Sequence, residues 1–215
     1  MLKLLFNLIK IVALLVLPFV ILVRGAVYFH DHYQLMPWLA LLGAMGATFV
    51  LIFIYMTFFY GKLTGKIGKS GVLYRRTFLS AIIVVGYCCY GLIFLSGANA
   101  KHDDVRSEYR ELHPILRLGV STLVFLDGDL IITDASRVTE DYAKMGLPAL
   151  KKSLHYKQKN GYVHAVDIRT NGRSNIRNLA IKTYFKLMGF NTLRHFGTGD
   201  HLHISLKSFD VPGAI

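Results

Sequence analysis

Between Gln34 and Gly61 the chain carries no charged residue. Met36 to Tyr60 therefore easily supplies the roughly 20 apolar residues that cross a bilayer. Two further apolar stretches flank it. Leu4 to Val23 is interrupted only by Lys10 near its start and closed by Arg24, and Thr77 to Ala98 lies between Arg75-Arg76 and Lys101-His102-Asp103-Asp104. A chain that is 53% hydrophobic and 18% charged is too apolar for one soluble globule of 215 residues. The charges are unevenly divided. Residues 1–98 hold eight Lys/Arg and one acid, Asp31, whereas residues 99–215 hold seventeen Lys/Arg and twelve acids. The first part is expected to be a three-helix transmembrane region (1–98). A linker and helix start follow (99–111), then an extracytoplasmic domain (112–215).

Orientation follows from the basic residues. The connection 61–76 carries Lys62, Lys66, Lys69, Arg75 and Arg76 and no acid, while His30 to Gln34 has no Lys or Arg. The Lys/Arg excess marks the 61–76 loop as cytoplasmic. The amino terminus is then inside, and everything after the third helix lies outside the cytoplasmic (inner) membrane. The basic start and short apolar core of the first stretch also suit a signal peptide, but Arg24 to Tyr28 offers no convincing small-residue cleavage site. A retained helix is expected. The short linker Gly97 to Lys101 predicts a domain held close to the outer face of the membrane. Gly43 and Gly46 in the second stretch allow close helix approach, and His30-Asp31-His32 reads as an interfacial polar turn. Lys10 lies near a membrane end, where it can snorkel, so transport has little support.

The remaining residues read as an α+β domain with a small antiparallel sheet. An amphipathic helix is expected from Asp103 to about Leu118, with Pro114 as a kink or break. Leu130 to Thr133 reads as a short strand after the Asp127-Gly128 turn, and Glu140 to Met145 as a helix. Asn160-Gly161 signals a hairpin before a strand from Tyr162 to Ile168. Ser174 to Met188 reads as a helix ended by Gly189, with Thr192–Phe196 and Leu202–Leu206 as the last strands. The only cysteines, Cys88 and Cys89, sit in the third apolar run, so neither a disulfide scaffold nor a Cys-ligated metal is available to this domain.

Seven of the nine histidines lie in that domain. In His201-Leu202-His203 the two rings share one face of a strand, because alternate residues do. Asp167 sits inside the apolar run Val163 to Ile168, where a carboxylate needs a cation, a metal or hydrogen-bond donors. His164 points to the opposite face from Asp167. His155 is the better partner, and the turn decides its place. A two-residue Asn160-Gly161 turn faces it away, a three-residue loop with left-handed Gly161 brings it onto the Asp167 face, and it can also lie outside the ladder. Two histidines and a carboxylate with an open fourth position form a zinc set suited to hydrolysis.

Ser153-Leu154-His155-Tyr156, Gly161, Ala165-Val166-Asp167-Ile168 and His201-Leu202-His203-Ile204-Ser205-Leu206 together resemble the zinc site of the DD-carboxypeptidase superfamily. That group includes D-alanyl-D-alanine carboxypeptidases and dipeptidases, phage L-alanyl-D-glutamate endopeptidases and the zinc-binding domain of hedgehog proteins. The resemblance covers roughly Leu112 to Leu206. It implies a hedgehog/DD-peptidase-like fold and Zn2+ held by His155, Asp167 and His203. It further implies Asp200 as general base, Arg137 as the group that engages the substrate carbonyl or carboxylate, and His201 as a histidine assisting near the metal. One departure stands out. Eleven residues separate His155 from Asp167, more than in the family, so Tyr156 to Tyr162 read as a small insertion.

The expected function is a membrane-anchored zinc metallopeptidase. It would hydrolyse peptidoglycan stem peptides or cross-links, as a carboxypeptidase or endopeptidase, at the outer face of the membrane. Zinc would polarise the scissile carbonyl, Asp200 would accept the proton of the attacking water, and Arg137 with His201 would stabilise the developing oxyanion. The alternative is a non-catalytic zinc-stabilised binding module, or an accessory subunit docked to another membrane protein through the helices. Besides the lipid bilayer, the expected partners are peptidoglycan peptides. Nucleic acid is not expected, because the basic residues show no clustered aromatic platform.

Overall fold

The computed structural model describes residues 2–65, 70–144, 146, 148, 152–197 and 199–215. Lys66 and Lys69 of the basic loop, and Met145 of the expected short helix, lie outside the described residues. The chain divides into two compact units, Met1–Tyr90 and Gly91–Ile215.

Three helices that are long and apolar enough to cross a membrane dominate the first unit, as in a membrane-anchored protein. Helix α1 spans Leu2–Tyr33 and α2 spans Pro37–Tyr55, with Pro37 at its first turn, where a missing N–H costs nothing. A π-helical turn, Met56–Tyr60, leads into the short α3, Gly61–Thr64. Helix α4 spans Ser70–Ile93 and crosses the division between the units. Its start precedes the apolar run, which takes Arg75 and Arg76 into the helix. The polar segment at His30 differs from the expected turn, because α1 continues through it. His30 Nδ1 donates to the Leu35 carbonyl at 2.8 Å, and the His32 ring stacks on Tyr28. Between α1 and α2 the small residues matter at two places. A Cβ on Gly25 would lie 3.6 Å from that of Ala44, and one on Gly43 would press on Phe29 at 3.2 Å. Gly46 faces open space.

The second unit begins inside α4. Ser121 Oγ donates to the Gly91 carbonyl at 2.7 Å, and a Cβ on Gly91 would clash with Leu118 at 2.8 Å. The expected linker is built into this unit. Asn99 is buried and its Nδ2 donates to the carbonyls of Gly128 and Leu130, both at 2.8 Å, while Ala100 bridges to Ile132 in parallel. The amphipathic segment after it breaks rather than kinks. Helix α5 (Asp103–Glu108) passes into a 3-10 turn, and Pro114 opens α6 (Pro114–Leu126), with His113 Nδ1 capping the Ile115 N–H.

Strands β1 (Ile132–Asp134), β2 (Ala165–Arg169), β3 (Asn191–His195) and β4 (His201–Ser205) form one antiparallel sheet in the order β1-β2-β4-β3. Helix α7 covers Thr139–Lys144, and α8 covers Asn175–Met188 between β2 and β3. Ser174 Oγ accepts from the Arg177 N–H to start α8, and Gly189 ends it at φ +96°, a conformation that costs little only for glycine. Period-two alternation gives the sheet two unlike faces. Val166, Ile168, Leu202 and Ile204 are buried to within 1%. They belong to a core with Leu116 and Leu118 of α6 and Ile181 and Phe185 of α8, where each large aliphatic side chain contributes about 1.5–3 kcal/mol. The other face carries Asp167, Arg169, His201 and His203, so the apolar side holds the sheet in place and the polar side is left for chemistry.

Candidate metal centre

The register of β2 and β4 sets Asp167 directly opposite His203 and Arg169 opposite His201. Asp167 is only 2% exposed, and its two oxygens are divided between partners. Oδ1 lies 2.9 Å from His203 Nδ1 and 3.4 Å from His155 Nε2; Oδ2 accepts from Arg137 Nη2 at 2.6 Å and lies 3.6 Å from His201 Nε2. Burial alone would raise the Asp167 pKa, but the charge and hydrogen bonds of His155 and His203 hold it well below the ordinary carboxylate range.

His155 reaches the cluster from a turn, not from the ladder. Gly161 adopts φ +81°, the Gln158 N–H donates to the Tyr162 carbonyl and the Gly161 N–H to that of Gln158, which makes Lys159 to Gly161 a three-residue loop. Lys157 bridges to Val163, and beyond it the His164 N–H donates to the Leu154 carbonyl at 2.9 Å. The residues read as an insertion are thus a closed hairpin, held by a Lys157–Glu111 ion pair at 2.7 Å and by a Lys159 N–H bond to Asp210. His155 Nδ1 lies 2.6 Å from the Ala135 carbonyl. A carbonyl only accepts, so Nδ1 donates there, and the ring turns Nε2 toward Asp167 and His203. Nε2 lies 3.2 Å from His203 Nδ1. The other nitrogen of His203 is buried without a hydrogen bond, and Nδ1, facing a carboxylate oxygen that only accepts, donates to Asp167 a proton that a bound cation would displace. Three buried donor atoms, two imidazole nitrogens and one carboxylate oxygen, converge closely enough for one cation to touch all of them.

Arg137 is placed by the loop after β1. Its Nε donates to Asp134 at 2.9 Å, its N–H donates to the His155 carbonyl, and its guanidinium lies over the Tyr142 ring. Burial works against the charged form, but Asp167 and Asp134 outweigh it and raise its pKa. Glu108 anchors the same loop by accepting the Ser136 N–H.

Arg137, Asp167, Asp200 and His201 line one cavity of about 570 Å³, together with Thr133, Asp134 and the bare backbone of Gly172 and Gly199. Asp200 stands in this wall but is already engaged. Arg194 grips both its oxygens, at 2.8 and 3.1 Å, and Thr170 Oγ1 donates at 2.6 Å. These bonds lower its pKa to about 2. Arg194 in turn lies over Phe196. His201 stacks on His195, ring centroids 4.8 Å apart. Burial, with the neighbouring charges of His201 and His203, lowers the His195 pKa.

The three residues expected as ligands therefore meet, Arg137 joins them directly, and His201 stands beside Asp167. Asp200 shares the cavity but is bound to Arg194. His164 belongs elsewhere, with its ring against Asn160 and the Lys207 carbonyl. Asp134, Ala135, His195 and Arg194 were not singled out by sequence. His195 carried a usable signal, since its strand pairs with His201-Leu202-His203; the other three depend on loop and hairpin geometry. No protein-family model, curated protein or solved structure matches the chain.

Proposed function

We propose that the chain is a membrane-anchored zinc metallopeptidase of the DD-carboxypeptidase/hedgehog type. It would hydrolyse peptidoglycan stem peptides or cross-links at the outer face of the cytoplasmic membrane. One observation carries this reading: His155 Nε2, Asp167 Oδ1 and His203 Nδ1 converge beside a cavity that an arginine and a second carboxylate also line. Their separations of 2.9, 3.2 and 3.4 Å bracket the edge of about 3.3 Å expected between ligands of a tetrahedral ion with zinc bond lengths of 2.0–2.1 Å. Zinc bound there supplies Lewis-acid polarisation of a peptide carbonyl.

The chain's own groups supply the rest. The Arg137 guanidinium, held by Asp134 and Asp167, presents fixed positive charge where a carbonyl oxygen becomes negative. Asp200 takes a proton from the attacking water and returns it to the leaving amine. A carboxylate with a pKa of about 2 is a weak base, so this step requires Arg194 to release it. His201, next to Asp167 Oδ2, assists at the oxyanion. The Lys/Arg bias of the 61–76 loop supports the orientation, with the amino terminus inside and the zinc domain outside.

To test this, the purified chain is incubated with muropeptides, with and without a chelator. Cleavage that stops on chelation and returns with zinc is expected. Zinc-independent cleavage, or none at full zinc occupancy, overturns the reading.

A second reading is a zinc-stabilised binding module without catalysis, or an accessory subunit of a membrane complex. The observation that favours it is the capture of Asp200 by Arg194 and Thr170. In that case Asp200→Ala leaves muropeptide binding unchanged, and no turnover is measured in either chain.

A further inference from the structure

The acids of the cavity are all spoken for. Asp134 and Asp167 share Arg137, and Asp200 has Arg194. The cations are not. Lys101 and Arg169 line the same cavity, and among the described residues neither side chain has an acidic partner. The backbone fixes where they stand. Lys101 N–H donates to the Ile132 carbonyl and Arg169 N–H to that of Ile131, both at 2.9 Å, so the two residues clasp consecutive carbonyls at the head of β1 from opposite sides. Arg169 also shares a face with Asp167, two residues further along β2, which is about 7 Å at the usual strand rise. Asn171, with an amide that can donate, lines the same cavity.

We infer that Lys101 and Arg169 form an anion subsite that takes a carboxylate of the peptide bound in the cavity, one to two residues from the bond held at His155, Asp167 and His203. The inference rests on the peptidase reading and narrows its substrate to peptides with a free carboxylate at that distance. Two uncompensated cations in a cavity whose own carboxylates are already paired attract an incoming one without breaking any existing ion pair. A guanidinium presents a fork that matches both carboxylate oxygens. The Lys101 ammonium adds charge from the other side of β1.

The test uses the full chain in detergent, stripped of metal so that nothing is cleaved. The probes are a synthetic stem peptide with a free glutamate α-carboxylate and its twin bearing a carboxamide there. Calorimetric titration is expected to show the carboxylate peptide binding about tenfold more tightly or better. Arg169→Gln should bring the two affinities together, and raising salt should compress the ratio in the parent chain. Lys101→Gln, at an exposed position, gives the same result in part and guards against misfolding of the Arg169 variant. Equal affinities in the parent chain, or a preference that survives the double substitution, overturns the subsite. Zinc-loaded hydrolysis of both peptides with equal KM overturns the subsite alone. Failure of both peptides to bind, with neither cleaved at full zinc occupancy, overturns the peptidase reading with it. Binding of the parent chain to anionic lipid vesicles that displaces the carboxylate peptide would assign the two cations to the bilayer instead.

Discussion

Asp167 and Asp200 stand in the walls of one cavity, and their surroundings are opposite. Asp167 is buried, and one of its oxygens faces two imidazole nitrogens. Asp200 is partly exposed and already neutralised by a two-pronged arginine and a hydroxyl. The contrast teaches that a carboxylate's neighbours, more than its burial, decide its chemistry. One corner gathers the donor atoms that a cation would need. The other holds its carboxylate in reserve.

The sharpest way to break this contrast is to remove a nitrogen from the first corner. His155→Ala and His203→Ala are each expected to take bound metal from one ion per chain to near none, measured by elemental analysis of the purified protein. If either variant keeps its metal, the ion is held elsewhere. Next in size is Asp200→Asn, which should leave metal content intact and lower muropeptide hydrolysis by about 10²–10⁴-fold. A parallel loss of metal would show that the two corners are not independent.

The smallest effect concerns acid stability. Because Arg194 and Thr170 depress the Asp200 pKa to about 2 from 3.8, their bonds stabilise the fold fully above about pH 4. That contribution fades as pH falls toward 2. Arg194→Gln should therefore lower the thermal midpoint by a constant amount at neutral pH, and the gap to the parent should close in strong acid. A gap that persists at pH 2 would mean that Arg194 supports the fold through something other than Asp200.

Much of this arrangement could be read from alternation. His201-Leu202-His203 and Val163 to Ile168 have a period of two, which fixes which side chains share a face whatever the rest of the fold does. The apolar spans were legible for a similar reason, since length and absence of charge need no tertiary context. His155 was not decidable, because three turn geometries fit the same residues and only the ring of contacts around Gly161 and Ala135 chooses among them. The Arg194–Asp200 pair was hidden for another reason. It spans the loop end of the β3–β4 hairpin, and no local propensity reports a side-chain contact of that kind. Helix α1 overran its apolar stretch because nothing from Arg24 to Tyr33 breaks a helix, so a polar composition did not end it.

The packing of Gly91 against α6 has a practical consequence for separating the second unit from the helices that precede it. A fragment cut at residue 99 would lose the backbone carbonyl that satisfies Ser121 and the buried side chain of Leu95. It would leave Leu118 facing water where a helix turn had covered it. A fragment cut there would therefore be a sticky, weakened product.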